Sequence, residues 1–352
     1  MLFRYAAAKT NFMKSQFVKF SSLSVLIFFF LILCCKQQDF LSQHDKNVLF
    51  VDPSVAEAES MIQIWNQRDV KPTDYAIVQE HQLLDGKFKL KIVSYKIAGI
   101  KEYGALLIPK TDNPIPVRMF LGGFGLGITT NSVSLTLDNT FSTSPFILAI
   151  PAFRGQSLEI TLNGTRYSSP LSEGLQCDAF DGATDDAIAF LNLIQQTENK
   201  ADVNRTSMRG GSRGGTVALL AGIRDKRIKK VVGIVSPTNF VKLTALNEND
   251  PTYRCQFLSI LKSNPSFLVQ TRTKLIASSP VYFAQHLPAT QLHMGLNDKN
   301  VPIDQGYELE QKINQLGMSS NFQLFTYDKT HTDIATNNSE MTNRIEQFLS
   351  QL

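Results

Sequence analysis

Residues that build metal and redox centres are scarce in this chain. Its 352 residues include four cysteines, five histidines and one tryptophan. No CxxC pair and no cysteine–histidine cluster occurs, so no metal site is expected. No organic cofactor motif stands out either. A surplus of one charge is also missing. The formal net charge is +4, and Arg4, Lys9, Lys14 and Lys19 account for all of it, because residues 1–33 contain no acid. The rest of the chain is balanced, which argues against nucleic acid as a partner. A long apolar run is missing too. The longest, "SSLSVLIFFFLILCC", covers about 15 residues, short of the roughly 20 that a membrane helix needs.

That run follows a basic stretch, which is the order of an export signal. Its ending, "LILCCKQQ", resembles a bacterial lipoprotein signal with Cys34 or Cys35 as the lipidated residue. Leu33 departs from the pattern, since a small residue is usual there. The expectation is a lipoprotein-type signal or anchor over residues 1–35. It implies export to the cell envelope and attachment to a bacterial membrane. An uncleaved anchor and a conventional cleaved signal are the alternatives. Cys177 and Cys255 remain in the body, open either to pairing or to burial as two thiols.

Residues 36–70 are polar and loosely patterned, and read as a tether with one N-terminal helix. From Tyr75 the pattern turns to strands. "YAIVQEHQLL", "FKLKIVSYKI" and "KEYGALLIPK" are joined first by a "DG" hairpin signal. "VRMFLGGFGLG" is an apolar strand ending in glycines, and "SPFILAIPAFRGQS" is a second. Helical and strand patterns then alternate to the C-terminus. This argues for an α/β fold with a mostly parallel central sheet, helices on both faces, and an antiparallel edge from the first strands. Residues 71–352 read as one domain. Between Pro237 and Pro280 no strand signal occurs, which predicts a helical, lid-like insertion over 237–280.

The stretch "SMRGGSRGGTVALLAGI" carries the most chemistry. A phosphate loop needs a lysine that is not there: Gly210 and Gly215 have the spacing, but Thr216 and Val217 occupy the lysine and hydroxyl positions. A dinucleotide fingerprint fails because Ser212 stands where the second glycine belongs. A nucleophile elbow fits. It requires Gly-x-Ser-x-Gly between a strand and a helix, here Gly210, Ser212 and Gly214. The glycines two before and two after the serine let the sharp turn close. The helix that follows aims its positive end at the site.

A serine hydroxyl needs a base, and the base needs an orienting acid. The expected chain order is serine, acid, histidine. Three histidines follow Ser212. His286 precedes a strand and His293 lies inside one. His331 lies in a loop just past the last strand, where the base belongs. Asp298 follows the preceding strand in "HMGLNDKNVP". Asp304 suits a helix start instead, and Asp328 and Asp333 read as solvated loop residues. The oxyanion donors are expected from the N–H of Arg213 and of Gly123 or Phe124 in "LGGFGLG". The side chain of Arg213 is open to two readings, gating the pocket or facing solvent.

Together "RGGSRGG", "FLGGFG", "PAFRGQS", "SSPVYFAQHLPATQLHMGLNDKNVP" and "THTD" resemble the catalytic domain of the prolyl oligopeptidase family of α/β-hydrolases, over roughly residues 75–352. The resemblance implies the α/β-hydrolase fold, Ser212 as nucleophile, Asp298 as acid and His331 as base. It also implies a structural or pocket-edge role for Arg154-Gly155. Three departures shift the expectation. The family's peptidases carry a β-propeller before this domain, where this sequence has room for a tether. Many members place a tyrosine hydroxyl in the oxyanion hole, and "FLGGFG" has none. Leu121 and Met294 stand where the family often has histidine. The expected activity is therefore hydrolysis of an ester or amide in a small molecule or short peptide, with esterase chemistry first. Peptidase action on short peptides is one alternative. A catalytically inactive binding protein on the same fold is the other.

Overall fold

A computed structural model describes residues 41–141, 144–262 and 264–352. The expected signal, with Cys34 and Cys35, lies outside the described residues. Among the described residues no helix is long and apolar enough to cross a membrane. Residues Gln43–Leu352 form one unit.

Of residues 36–70, expected as a tether with one N-terminal helix, those from Gln43 form α1 (Gln43–Leu49) and α2 (Val55–Asn66), the second where the helix was expected. A capping box starts α2: the Ser54 side chain accepts from the Glu57 N–H, and the Glu57 carboxylate accepts from the Ser54 N–H. Both helices are held by the body of the protein. Arg272 donates to Glu57 at 2.9 Å and to the carbonyls of Leu49 and Val51. Trp65 is buried, and its Nε1 donates to Asp181 at 3.0 Å. Arg68 pairs with Asp181 and Asp185. Part of the polar composition of this stretch serves ion pairing to the domain.

Three antiparallel strands follow, β1 (Thr73–Leu83), β2 (Phe88–Ile97) and β3 (Ile100–Pro109). Next come β4 (Ile115–Leu121), β5 (Thr130–Leu135), β6 (Ile147–Ala152), β7 (Ser157–Leu162) and β8 (Thr165–Ser168). Then α3 (Asp181–Thr197), β9 (Ala201–Gly211), α4 (Arg213–Arg224) and β10 (Ile228–Ile234) alternate. After α5 (Phe240–Leu246) and α6 (Leu268–Ala277), the chain closes with β11 (Ala289–Gly295), α7 (Asp304–Gln315), β12 (Phe322–Tyr327) and α8 (Ser339–Leu349).

The main sheet has nine strands in the order β1-β2-β3-β6-β4-β9-β10-β11-β12. From β6 to β12 the neighbours run parallel. This is the α/β-hydrolase fold. Strands buried on both faces explain the continuous apolar runs, as in β6, where all six residues are buried. One face carries α3, α4 and α7. The other carries α8, whose Met341, Ile345 and Leu349 pack on Val232 of β10. The rest of that second face is covered by a small sheet, β5-β7-β8, which the sequence reading did not anticipate. Val133, Leu158, Ile160 and Leu162 from it pack on β2, β3 and β6. Its strands are short and polar on their outer side, so no strong period announces them.

After β4 the chain visits β6 on one side and then returns to β9 on the other. The strand order therefore reverses between β4 and β9. Open α/β sheets bind ligands outside the carboxyl ends of the strands at such a point.

Candidate active site

The sharp turn between β9 and α4 is built by glycine at two positions. A Cβ on Gly210 would lie 2.3 Å from the carbonyl carbon of Gly214. A Cβ on Gly214 would lie 2.0 Å from the carbonyl oxygen of Leu121, at the end of β4. No other residue fits either place. Between them Ser212 sits at φ +51° and ψ −120°, a left-handed conformation that a non-glycine residue adopts at a cost of about 1–3 kcal/mol. Its N–H donates to the carbonyl of Ile234 at 2.7 Å, which ties the turn to β10. The serine caps α4, so the helix N-terminus points into the space beside it.

Asp298 lies in the loop after β11 and is 6% exposed. Its Oδ1 accepts from the backbone N–H groups of Asn300 and Val301, each at 2.8 Å. Its Oδ2 lies 2.7 Å from Nδ1 of His331, in the loop after β12. A carboxylate only accepts, so Nδ1 holds the proton and Nε2 is left as the free acceptor. The two loops are joined by their backbones: the N–H of Leu296 donates to Tyr327 at 2.8 Å and that of Asn297 to Lys329 at 3.0 Å. Gly295 permits this, since a Cβ there would lie 2.5 Å from the Lys329 carbonyl.

The other candidate acids and His293 have different partners. Asp304 occupies the first turn of α7. Asp328 accepts from Asn297, and Asp333 from Thr330. His293 is fully buried in β11, its Nδ1 2.9 Å from the Tyr327 hydroxyl. Burial lowers its pKa to about 3, so the imidazole is neutral.

Ser212 and His331 line one cavity of about 480 Å³. Arg213, Phe124 and Gly125 bound it on the side of the β4 glycine turn. Phe180, Phe240, Tyr253 and Phe257 line it too, with Asp250 and Lys299 among the polar groups. The described residues of segment 237–280 are mostly helical and supply much of this wall. It is fastened to the start of α3: Cys177 and Cys255 form a disulfide with Cα atoms 5.3 Å apart, and Gln256 Oε1 accepts from the Ala179 N–H at 2.9 Å. The disulfide closes the question that the sequence left open. The rings of Phe180, Phe240 and Phe257 pack together, with centroids 4.1 to 6.1 Å apart.

The side chain of Arg213 neither faces solvent nor swings at the mouth. It is 1% exposed. Its Nε donates to the carbonyl of Gly122 at 3.1 Å, and its Nη2 donates to Gln156 Oε1. The guanidinium lies 4.7 Å from the ring centroid of Phe153. Burial lowers its pKa to about 9, so it stays charged at neutral pH. Arg154 is structural. Its Nε donates to Asp186 at 2.9 Å, and its Nη1 pairs with Asp178, which also pairs with Lys274 of α6. Sequence reasoning missed Gln156, the aromatic wall and the fixed position of Arg213. They come from distant segments, and no local pattern marks them. Among the described residues no cluster of metal-ligating side chains occurs.

A family model described as the prolyl oligopeptidase family matches residues 159–352. No protein of curated function matches the chain significantly by sequence. Many solved structures share the fold. Acetyl xylan esterase 1 from Thermoanaerobacterium sp. JW/SL YS485 is similar with a TM-score of 0.64 and 14% identity, over 88% of this chain and 98% of the esterase. An acylaminoacyl peptidase from Pyrococcus horikoshii gives a TM-score of 0.54 and 16% identity, over 75% of this chain but 41% of the peptidase. Dipeptidyl peptidase 4 from Porphyromonas gingivalis gives 0.53 and 15%, over 77% and 43%.

Proposed function

The chain belongs to the prolyl oligopeptidase family and is a serine hydrolase, and from that premise we propose that it cleaves esters through an acyl-enzyme on Ser212. The observation that carries this reading is the pairing of His331 with buried Asp298 on the same cavity as the strained Ser212. His331 Nε2 takes the Ser212 proton as Oγ attacks the acyl carbonyl. The same proton then goes to the departing alcohol as the ester C–O bond breaks. Water repeats the sequence on the acyl-serine and releases the acid. Asp298 holds the imidazole tautomer throughout. The oxyanion accepts from the Arg213 N–H and from the β4 glycine turn, where Phe124 lines the cavity and Gly123 does not.

Ester comes before peptide because the glycine turn "FLGGFG" carries no tyrosine, which leaves backbone N–H groups as its donors. The overlap with the esterase along almost its whole length supports the same order. A second reading, hydrolysis of short peptides, is favoured by Asp250 and Lys299 facing one cavity, opposite charges that suit a zwitterion. Comparing p-nitrophenyl acetate and butyrate with peptidyl p-nitroanilides decides between them. The ester reading expects kcat/KM for the esters to exceed that for every anilide by more than chromogen reactivity explains. Anilide turnover with weak ester turnover sinks it. We further infer that the enzyme works outside the cytoplasm. The Cys177–Cys255 disulfide supports that, since disulfides persist in oxidising compartments.

A further inference from the structure

A second cavity, of about 430 Å³, lies on the face of the sheet opposite α4 and shares no lining residue with the Ser212 cavity. Its floor is β4 and β9. Arg118 pairs in register with Ser207, and Phe120 with Arg209, so these four side chains emerge on one face. The small sheet and α8 close the sides.

The charges there are unequal. Arg118 and Arg209 both donate to Glu346 of α8, at 3.1 and 3.2 Å, so one carboxylate serves two guanidiniums. Each guanidinium is held over a ring: Arg118 lies 4.1 Å from the centroid of Phe146, and Arg209 5.3 Å from that of Phe120. The Arg209 side chain is 34% exposed, and it is its Nε that is buried. Two donors at this place are buried and have no partner, Nε of Arg209 and the hydroxyl of Ser207. Ser207 itself is 1% exposed. Buried donors normally have partners, and an orphan pair beside a surplus positive charge is the complement of an anion. The other walls mix apolar side chains, among them Val133, Leu135 and Leu349, with the hydroxyl residues Ser132, Ser134, Thr140 and Thr342. A cavity of this size and make-up suits a small molecule with one charged end.

We propose that this cavity binds a small monocarboxylate with an apolar body, whose carboxylate accepts from Ser207 Oγ and Arg209 Nε. The inference does not depend on the role of Ser212. The two sites meet on one strand, because β9 carries Ser207 and Arg209 and ends at the elbow.

Isothermal titration of the whole enzyme with hexanoate, and with hexanamide as its neutral counterpart, tests the proposal. Hexanoate should bind at a site where the amide is at least roughly tenfold weaker, and Ser207→Ala should weaken hexanoate by roughly tenfold, the loss of one charge-assisted hydrogen bond. Arg209→Gln should weaken it further. Ser207→Ala removes a hydroxyl without partners, so it should melt at the wild-type temperature, and it decides alone if Arg209→Gln fails to fold. No binding to wild type, equal binding of acid and amide, or hexanoate affinity unchanged in Ser207→Ala each overturns the proposal. Such unchanged binding would assign the hexanoate to another cavity.

Discussion

The Nε of Arg213 donates to the carbonyl of Gly122 across 3.1 Å, and so joins the residue after the elbow serine to the glycine turn that ends β4. Both proposed oxyanion donors belong to the two segments that this contact joins. The guanidinium is fixed from the other side by Gln156 and Phe153. On the proposed mechanism Arg213 is thus a positioning residue as well as the source of one N–H donor. Arg213→Lys keeps the charge and the backbone N–H but loses the fork. We expect kcat for p-nitrophenyl acetate to fall by about 10², at the lower end of the loss of a whole oxyanion donor, with KM little changed. Steady-state kinetics, with a melting curve to show the fold intact, checks this.

Reduction of the disulfide should loosen the wall of the cavity. Cys177 and Cys255 are 78 residues apart and pin the segment carrying Gln256 and Phe257 to the start of α3. Cys255→Ser is expected to cost about 2–4 kcal/mol in stability. It should raise KM more than it lowers kcat, because the wall shapes the pocket while the serine, acid and base stand on other loops. Melting curves and ester kinetics with and without a reducing agent measure both effects.

Acid stability should carry the signature of His293. Its folded pKa is about 3, below the unfolded value of about 6.5, because the ring is buried. The native protein refuses a proton that the unfolded chain accepts. This contribution is fully present above pH 6.5 and is lost as the pH falls toward 3. Between pH 7.5 and pH 5 it should remove about 2 kcal/mol. His293→Phe keeps a ring against Phe325 and Tyr327 and cannot titrate. Urea titrations at the two pH values should show a smaller acid loss in the variant by that amount. An identical loss in both proteins would remove His293 from the account.

The main sheet was legible because its parallel strands are buried on both faces and read as uninterrupted apolar runs. The elbow was legible because the turn needs Gly210 and Gly214 where a Cβ would strike backbone. Asp298 and His331 were legible from their places after β11 and β12, and the structure brings them to 2.7 Å. The rest depends on contacts across long sequence separations. The side chain of Arg213 was open between gating the pocket and facing solvent, and its burial follows from Gln156 and Phe153, more than fifty residues earlier. Residues 36–70 read as a tether with one N-terminal helix, and the ties to the domain stayed hidden because Arg68 and Glu57 look solvated until Asp181, Asp185 and Arg272 are placed beside them. The small sheet escaped because β5 and β8 have few apolar positions.

Close packing at the elbow should make Gly214 intolerant of a single methyl group. Gly214→Ala would bring a carbon to 2.0 Å from the Leu121 carbonyl oxygen, a backbone atom that moves only with β4. Overpacking of this kind costs about 1–3 kcal/mol or more. Because β4 leads into the oxyanion turn, ester turnover should fall further than stability does. The melting temperature and kcat of this variant, measured side by side, report the two effects.

The most direct test of the central claim is covalent labelling of the purified enzyme with a fluorophosphonate probe, read by intact mass and by peptide mapping. The account expects one adduct on Ser212 in the wild type, none in Ser212→Ala, and slow labelling in His331→Ala. A wild-type enzyme that takes no label, or a Ser212→Ala variant that labels as well as wild type, would contradict it.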